Sequence, residues 1–228
     1  MRFDIVTIFP KIFDSYFSES IIKRAVQNKK IRIKIWNLRN FTKNKHKKVD
    51  DKPYGGGAGM VLQVEPILRT LKSILRLRRP TSKSQKTSDV LIILLSANGK
   101  QFNQKMAGEW AMKYKNIILI SGRYEGIDER IKKVIHDLGF KFQELSIGPY
   151  VLTGGEIPAM AVVDAVARHI PGVLGKSESL EEKRYGIGVP AYTRPEIFVF
   201  KNKKYKVPDV LLSGDHKKIE NWRIKHKK

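Results

Sequence analysis

The chain has 228 residues, with 45 Lys and Arg against 22 Asp and Glu, a formal net charge of +23 and no cysteine. That length suits one sizeable domain with an appendage, and the missing cysteine excludes disulfides, thiolate metal sites and a cysteine nucleophile. Five His residues show no paired ligand spacing such as HExxH, and no apolar run approaches the roughly 18 residues of a membrane span. A soluble, cytoplasmic protein with no membrane partner is expected. The positive charge comes in blocks. Residues 39–48 carry Arg39, Lys43, Lys45, Lys47 and Lys48 with no acid, residues 69–88 carry seven Lys or Arg with no acid, and ten basic residues face three acidic ones from 201 onward. Such blocks are the footprint of a polyanion binder, with nucleic acid favoured over a membrane surface.

In chain order, residues 2–9 and 31–36 read as strands, with a broken helical segment between them carrying Ile12, Phe13, Phe17, Ile21, Ile22, Ala25 and Val26. A long polar loop follows over 37–59 and runs into the dense turn KPYGGGAGM at 52–60. Pro66 opens a helix expected to reach about Leu77, and 78–89 reads as a flexible basic loop. Three apolar runs come next: VLIILL (90–95), NIILI (116–120) and FQEL (142–145). Each ends in a small-residue turn: SANG (96–99), SGRYEGIDER (121–130) and SIGPYVLTGGE (146–156). Residues 157–169 form a helix that is apolar nearly all round and therefore buried against the sheet. After Pro171 the composition becomes that of a linker, with Glu178, Glu181 and Glu182 clustered in it. Residues 196–200 and 204–207 form a hairpin around a basic turn, and a short helix over 215–225 sets Ile219 and Trp222 on one face.

The turns carry the chemistry. In an open α/β sheet, ligands sit outside the carboxyl ends of the strands, where Gly122, Gly126, Gly148, Gly154 and Gly155 gather with Arg123, Glu125, Asp128, Glu129 and Arg130. Other glycine patterns are weaker. GVLGKS (172–177) has Ile170 where a P-loop needs its first Gly and follows a helix instead of a strand. GIGVPA (186–191) contains Pro190 and has no strand before it. No GxGxxG follows the first strand with an acid about 20 residues on, which makes a dinucleotide-binding dehydrogenase the least favoured reading. The loop at 55–59 suits backbone N–H contacts to a phosphate or a flat base, beside the basic run from Lys43 to Lys48. Arg168 closes the apolar helix; it reads equally as a favourable charge at a helix C-terminus or as a cation aimed at an anionic substrate.

SGRYEGIDER, SIGPYVLTGGEIPAM, RHIPGVLG, PAYTRPE, PYGGGAGM and VLLSGDH together resemble the bacterial tRNA (guanine-N1)-methyltransferases of the TrmD type, members of the SPOUT class. The resemblance runs from FDIVTIFP at 3–10 to about Trp222. It implies an α/β fold with a parallel sheet flanked by helices and tied in a trefoil knot, a homodimer, S-adenosylmethionine as methyl donor, and tRNA as acceptor through the guanine at position 37. It also implies three regions: a donor-binding SPOUT domain over 1–170, a flexible linker over 171–192 and a basic tRNA-binding segment over 193–228, shorter than the family's. A shorter segment implies weaker tRNA binding.

Position by position, the resemblance implies a donor pocket of Leu94, Leu95, Ser96, Gly122, Ile147, Gly148, Tyr150, Leu152, Gly154 and Gly155, closed by Pro158. Tyr124 and Glu125 match residues near the target base, and Gly57, Ala58, Gly59 and Met60 match a guanine-recognition loop. Arg168 matches the family's catalytic Arg. The residue types fit, because a methyl displacement at guanine N1 needs close positioning, a base for the N1 proton and a cation or N–H for charge growing on O6. Here the sequence departs from the pattern. Counting from RHIPGVLG puts Lys183 where the family carries its Asp base, so Glu182 is the expected base, with Glu181 next. Pro149 stands where the family usually has Asp. Mg²⁺ is compatible with the family's behaviour, although no carboxylate cluster has metal spacing, and no metal site is assigned. A non-catalytic tRNA binder of the same fold, or a SPOUT enzyme acting on another RNA position, stays open on sequence grounds.

Overall fold

The computed structural model describes residues 1–76, 87–175, 180 and 188–227. Two compact units are present, Met1–Leu174 and Gly175–Lys228. The first holds strands β1 (Arg2–Thr7), β2 (Arg32–Asn37), β3 (Asp50–Asp51), β4 (Val61–Leu62), β5 (Val90–Gln101), β6 (Asn116–Ser121) and β7 (Lys141–Ser146). Its main helices are α1 (Asp14–Phe17), α2 (Ser20–Gln27), α3 (Val64–Arg76), α4 (Gln104–Lys113), α5 (Arg130–Asp137) and α6 (Glu156–Ala167). The helix from Pro66 therefore begins two residues earlier, with Pro66 in its first turn, where its missing N–H costs nothing. Most of the basic loop expected over 78–89 lies outside the described residues; its end, Thr87–Asp89, is a 3-10 turn.

Five strands form one sheet in the order β2-β1-β6-β5-β7, and every neighbouring pair is parallel. Parallel strands are covered on both faces, and the sequence shows it as unbroken apolar runs. Strand alternation then divides those runs. Leu91, Ile93, Leu95, Ile117 and Leu119 point into a core with Ala159, Val162, Val163 and Val166 of α6 and Trp110 of α4. Val90, Ile92, Leu94, Ile118 and Ile120 point the other way, into a second core with Ile67, Leu71 and Ile74 of α3 and Ile131 and Ile135 of α5. Each such side chain contributes roughly 1.5–3 kcal/mol by leaving water.

The expected turn SANG is a bulge inside a longer strand. Leu95 pairs with Leu145, residues 96–99 loop out, and Lys100 returns to the same Leu145 before Gln101 pairs with Ser146. A Cβ at Gly99 would overlap the backbone of Leu145 and of Glu144. Only a glycine lets the strand close on β7 there. The polar loop expected over 37–59 also holds more order: a 3-10 turn at Leu38–Phe41 and the antiparallel pair β3–β4, which closes the glycine loop at its base.

The second unit carries a hairpin of β8 (Ile197–Phe200) and β9 (Lys203–Lys206), a short helix at Asp209–Leu212 and a helix at His216–Lys225. Asp215 caps the last helix by accepting from the Lys218 N–H at 3.1 Å, as an N-cap side chain does.

Candidate active site

Chain order and sheet order part company at β5. From β5 the chain crosses to β6 on one side, then to β7 on the other, so the carboxyl ends of β5, β6 and β7 open a crevice between diverging connections. A cleft of roughly 400 Å³ lies there, within the size range of small-molecule sites. Its walls are Leu94 to Asn98 from β5 and its bulge, Gly122 to Ile127 from the turn after β6, and Leu145 to Gly155 in part from β7 and the following turn. Pro158, in the first turn of α6, closes it. Every residue that the family resemblance assigns to the donor pocket lines this cleft except Gly148. That glycine is buried beneath Tyr150 instead, in a turn held by Ser146, whose Oγ donates to the Gly148 carbonyl at 2.8 Å and accepts from its N–H at 3.2 Å.

The turn after β6 is fixed from below. Gly155 N–H donates to the Gly122 carbonyl at 2.9 Å, and a Cβ on Gly155 would lie 2.7 Å from Ser121 Cα. Arg123 Nε donates to Glu156 Oε2 at 2.9 Å, and its guanidinium also reaches the Thr153 carbonyl at 3.1 Å and lies 4.8 Å from the centroid of Phe9. Glu156 Oε1 accepts from Thr7 Oγ1 at 2.8 Å, and Thr7 Oγ1 accepts from the Phe9 N–H at 2.9 Å. Glu156 is 1% exposed. Its carboxylate joins the end of β1, the turn after β6 and the start of α6, where a negative charge also meets the helix N-terminus favourably. Sequence reading passed over this role for Glu156 and Thr7. The available signal was an acid opening an otherwise apolar helix.

Tyr124 and Glu125 stand at the cleft. Tyr124 adopts φ +60, a left-handed conformation uncommon outside glycine, and its ring is half exposed at the rim. Behind it the chain is stitched to β4: the Glu125 N–H donates to the Met60 carbonyl, the Leu62 N–H to the Gly126 carbonyl and the Asp128 N–H to the Leu62 carbonyl, each at 3.0 Å. These bonds bring the glycine loop to the turn. Gly57, Ala58, Gly59 and Met60 do not line the cleft, but Gly59 packs on Glu125 so closely that a Cβ there would lie 2.5 Å from Glu125 Cγ. Gly55, Gly56 and Gly57 all have positive φ and open space around them.

Charges brace the same wall. Asp128 forms a bidentate pair with Arg130, whose guanidinium lowers the Asp128 carboxyl below the usual range. Lys132 bridges Glu129 at 2.6 Å and Glu144 at 2.8 Å, and these two carboxylates raise its ammonium above the usual value. Among the described residues, no three His, Asp or Glu converge as a metal-binding set.

Arg168 sits elsewhere. It is the C-terminal cap of α6, with its Nε buried, about 15 Å along the helix from Pro158 at 1.5 Å per residue. It does not line the cleft of its own chain. Glu181, Glu182 and Lys183 lie outside the described residues.

A parallel α/β sheet with glycine turns converging at a switch point, and a glycine loop stitched beside them, defines an α/β protein with a small-molecule-sized cleft at the carboxyl ends of its strands. Comparison with known proteins makes this particular. The family model described as tRNA (Guanine-1)-methyltransferase TrmD matches residues 1–228. The chain is 49% identical to a tRNA (guanine-N(1)-)-methyltransferase of Dictyoglomus turgidum, over 99% of this chain and 84% of the relative. It is also 49% identical to one of Clostridioides difficile, over 98% and 90%, and 43% identical to one of Mycoplasma mycoides, over 98% and 85%. The chain belongs to this family of methyltransferase enzymes.

Proposed function

We propose that this protein transfers a methyl group from S-adenosylmethionine to N1 of guanine in tRNA, at position 37 beside the anticodon. The observation that carries the reading is the cleft at the switch point, built from the residues the family resemblance assigns to donor binding, in a chain that belongs to a guanine-N1 methyltransferase family. S-adenosylmethionine would lie against Leu94, Leu95, Gly122, Ile147 and Leu152, and when bound it supplies an electrophilic methyl carbon on sulfur. Gly155 and Pro158 admit it closely, because neither places a flexible side chain in the cleft. Tyr124 offers a ring face at the rim for the guanine, and the loop from Gly57 to Met60 offers backbone groups to the base edge.

Charge grows on guanine O6 as N1 loses its proton, and a guanidinium there is worth orders of magnitude in rate. Arg168 suits that task, although its own α6 carries it away from its own cleft. A homodimer resolves this: a second copy presents Arg168 to the cleft. Glu182, with Glu181 next, takes the N1 proton from the linker. Regions 1–170, 171–192 and 193–228 divide the work into donor binding, base delivery and tRNA holding, in the trefoil-knotted fold that the family resemblance implies. Among the described residues no helix is long and apolar enough to cross a membrane, and a cytoplasmic location follows from a tRNA substrate.

The test is labelled methyl transfer to unmodified tRNA carrying guanines at positions 36 and 37, with the product base mapped by mass spectrometry. Methylation at N1 of guanine 37, abolished when guanine 37 is replaced, supports the reading. Methylation at another nucleotide removes the anticodon-adjacent assignment.

A further inference from the structure

The second unit contains a hairpin whose surface does not look like a packing surface. Its register pairs Ile197 with Lys206, Phe198 with Tyr205, Val199 with Lys204 and Phe200 with Lys203. All eight residues are exposed, among them Phe198 at 58% and Phe200 at 54%. Directly paired residues share a face and alternate residues along a strand return to it. Phe198, Phe200, Tyr205 and Lys203 therefore lie on one face. The Phe198 and Tyr205 ring centroids are 6.4 Å apart. Lysines frame the rings: Lys203 Nζ lies 5.4 Å from the Tyr205 centroid, and Lys201 Nζ at the turn lies 5.6 Å from that of Phe200. No acid falls between Ile197 and Lys206.

We propose that this face is a stacking platform for unpaired nucleotides of the RNA substrate, with the rings taking bases and Lys201 and Lys203 beside them taking phosphates, while Lys204 and Lys206 on the opposite face add to the local positive charge. Two properties select this occupant. An uncharged protein surface would bury the rings but leave the cationic frame unused, and a second copy of this chain, itself at +23, would be repelled by that frame. A base-paired helix would satisfy the lysines but offer the rings nothing, because its bases are already stacked. Unpaired nucleotides satisfy both, each presenting a flat face and a phosphate at similar spacing. The inference rests on the RNA substrate read above and deepens it: the hairpin holds nucleotides other than the one methylated in the cleft.

The experiment uses the full chain, an RNA stem-loop with a seven-nucleotide loop and a fully paired duplex of the same length. The variant Phe198→Leu/Phe200→Leu/Tyr205→Leu keeps apolar bulk and removes the ring faces. Because a two-stranded hairpin is only marginally stable alone, Phe200→Trp is measured beside it. Its ring can still stack, and its fluorescence reports contact with a base. Stem-loop affinity should fall about tenfold or more in the leucine variant, as loss of base–aromatic stacking predicts, with duplex affinity and S-adenosylmethionine affinity unchanged. Phe200→Trp should keep wild-type affinity, and the stem-loop but not the duplex should quench it. Lys201→Gln/Lys203→Gln should flatten the salt dependence by about 0.7 per lysine, the single-strand value. Wild-type stem-loop affinity in the leucine variant overturns the proposal, as does quenching by duplex as strong as by stem-loop. A change of oligomeric state with RNA affinity intact overturns it in favour of a subunit contact. Wild type that binds the stem-loop through the rings yet methylates no tRNA keeps the platform and removes the methyltransferase reading. Transfer to tRNA with an indifferent leucine variant does the reverse.

Discussion

The cleft at the sheet edge and the hairpin of the second unit recognise by opposite physical means. Around the cleft, position is enforced from inside: two apolar cores clamp the sheet, the buried Glu156 holds three segments, and Gly155 fits against Ser121 with no room to spare. In the second unit no residue from 188 to 227 is buried, and its rings and lysines face outward. A packed site can hold a small ligand in one pose, because every wall is held by another wall. An exposed platform gains affinity from charge and stacking, and tolerates variety in what it binds. The difference teaches where to look for each kind of failure: in stability and donor affinity for the first region, in RNA affinity and salt dependence for the second.

Arg168 gives the largest effect expected. Arg168→Ala should slow methyl transfer by about 10²–10³-fold, the range for losing a donor to a developing oxyanion, with donor affinity little changed because the role assigned to Arg168 is at guanine O6 and not at the methyl donor. Mixing it with a cleft-dead variant sharpens this: activity restored in mixed dimers places Arg168 in the opposite copy's cleft, and no restoration removes that arrangement.

Glu156 comes next. Glu156→Ala strands Arg123, whose side chain is only 18% exposed, and takes away the acceptor of Thr7 Oγ1. Breaking a buried ion pair of this kind costs about 3–5 kcal/mol, readable as a lower urea midpoint. A loss under about 1 kcal/mol would mean that water replaces the carboxylate, and that the cleft is less packed than the comparison requires.

A smaller loss is expected of Gly155→Ala. Its Cβ would press on Ser121 Cα and the Gly122 N–H, an overpacking worth about 1–3 kcal/mol, and the displaced turn should weaken S-adenosylmethionine binding by calorimetry. Unchanged donor affinity would separate the turn from the donor. The same substitution at Gly55, where the surroundings are open but φ is +86, should leave donor affinity alone.

Asp128 provides the mildest contrast, through pH. Its carboxyl is held below the usual range by Arg130, so the pair's stabilisation is present above the unfolded carboxyl value of about 3.9 and lost as pH falls through the lower folded value. Wild type should therefore be slightly more stable than Asp128→Asn at neutral pH, and the two should converge in acid below about pH 4. A difference that persists in acid would assign the effect to something other than ionisation.

Much of the cleft could be read from the chain because its parts are local. Apolar runs announced β5, β6 and β7, glycines announced the turns after them, and the apolar helix expected over 157–169 is α6 at Glu156–Ala167. The stitching of Met60 and Leu62 to the turn at 125–128 was not readable, since it joins segments more than sixty residues apart and depends on where β4 comes to lie. Gly99 looked like any turn glycine, although it is where β5 closes on β7. Glu156 looked like a charge at a helix start, and its partners Thr7 and Arg123 meet it only after the sheet has formed.

Sequence alone determined which segments are strands, which turns are bare enough for a ligand, that the protein's partner is a polyanion, and to which family the motifs point. Those properties follow from periodicity, glycine and charge within a few residues. The tertiary structure decided the strand order that opens the crevice at β5, the buried carboxylate that fixes it, the distance of Arg168 from its own cleft, and the single face that gathers Phe198, Phe200 and Tyr205. Each depends on register between strands or on the length of a helix between two sites, and neither register nor distance is written in any one stretch of the chain.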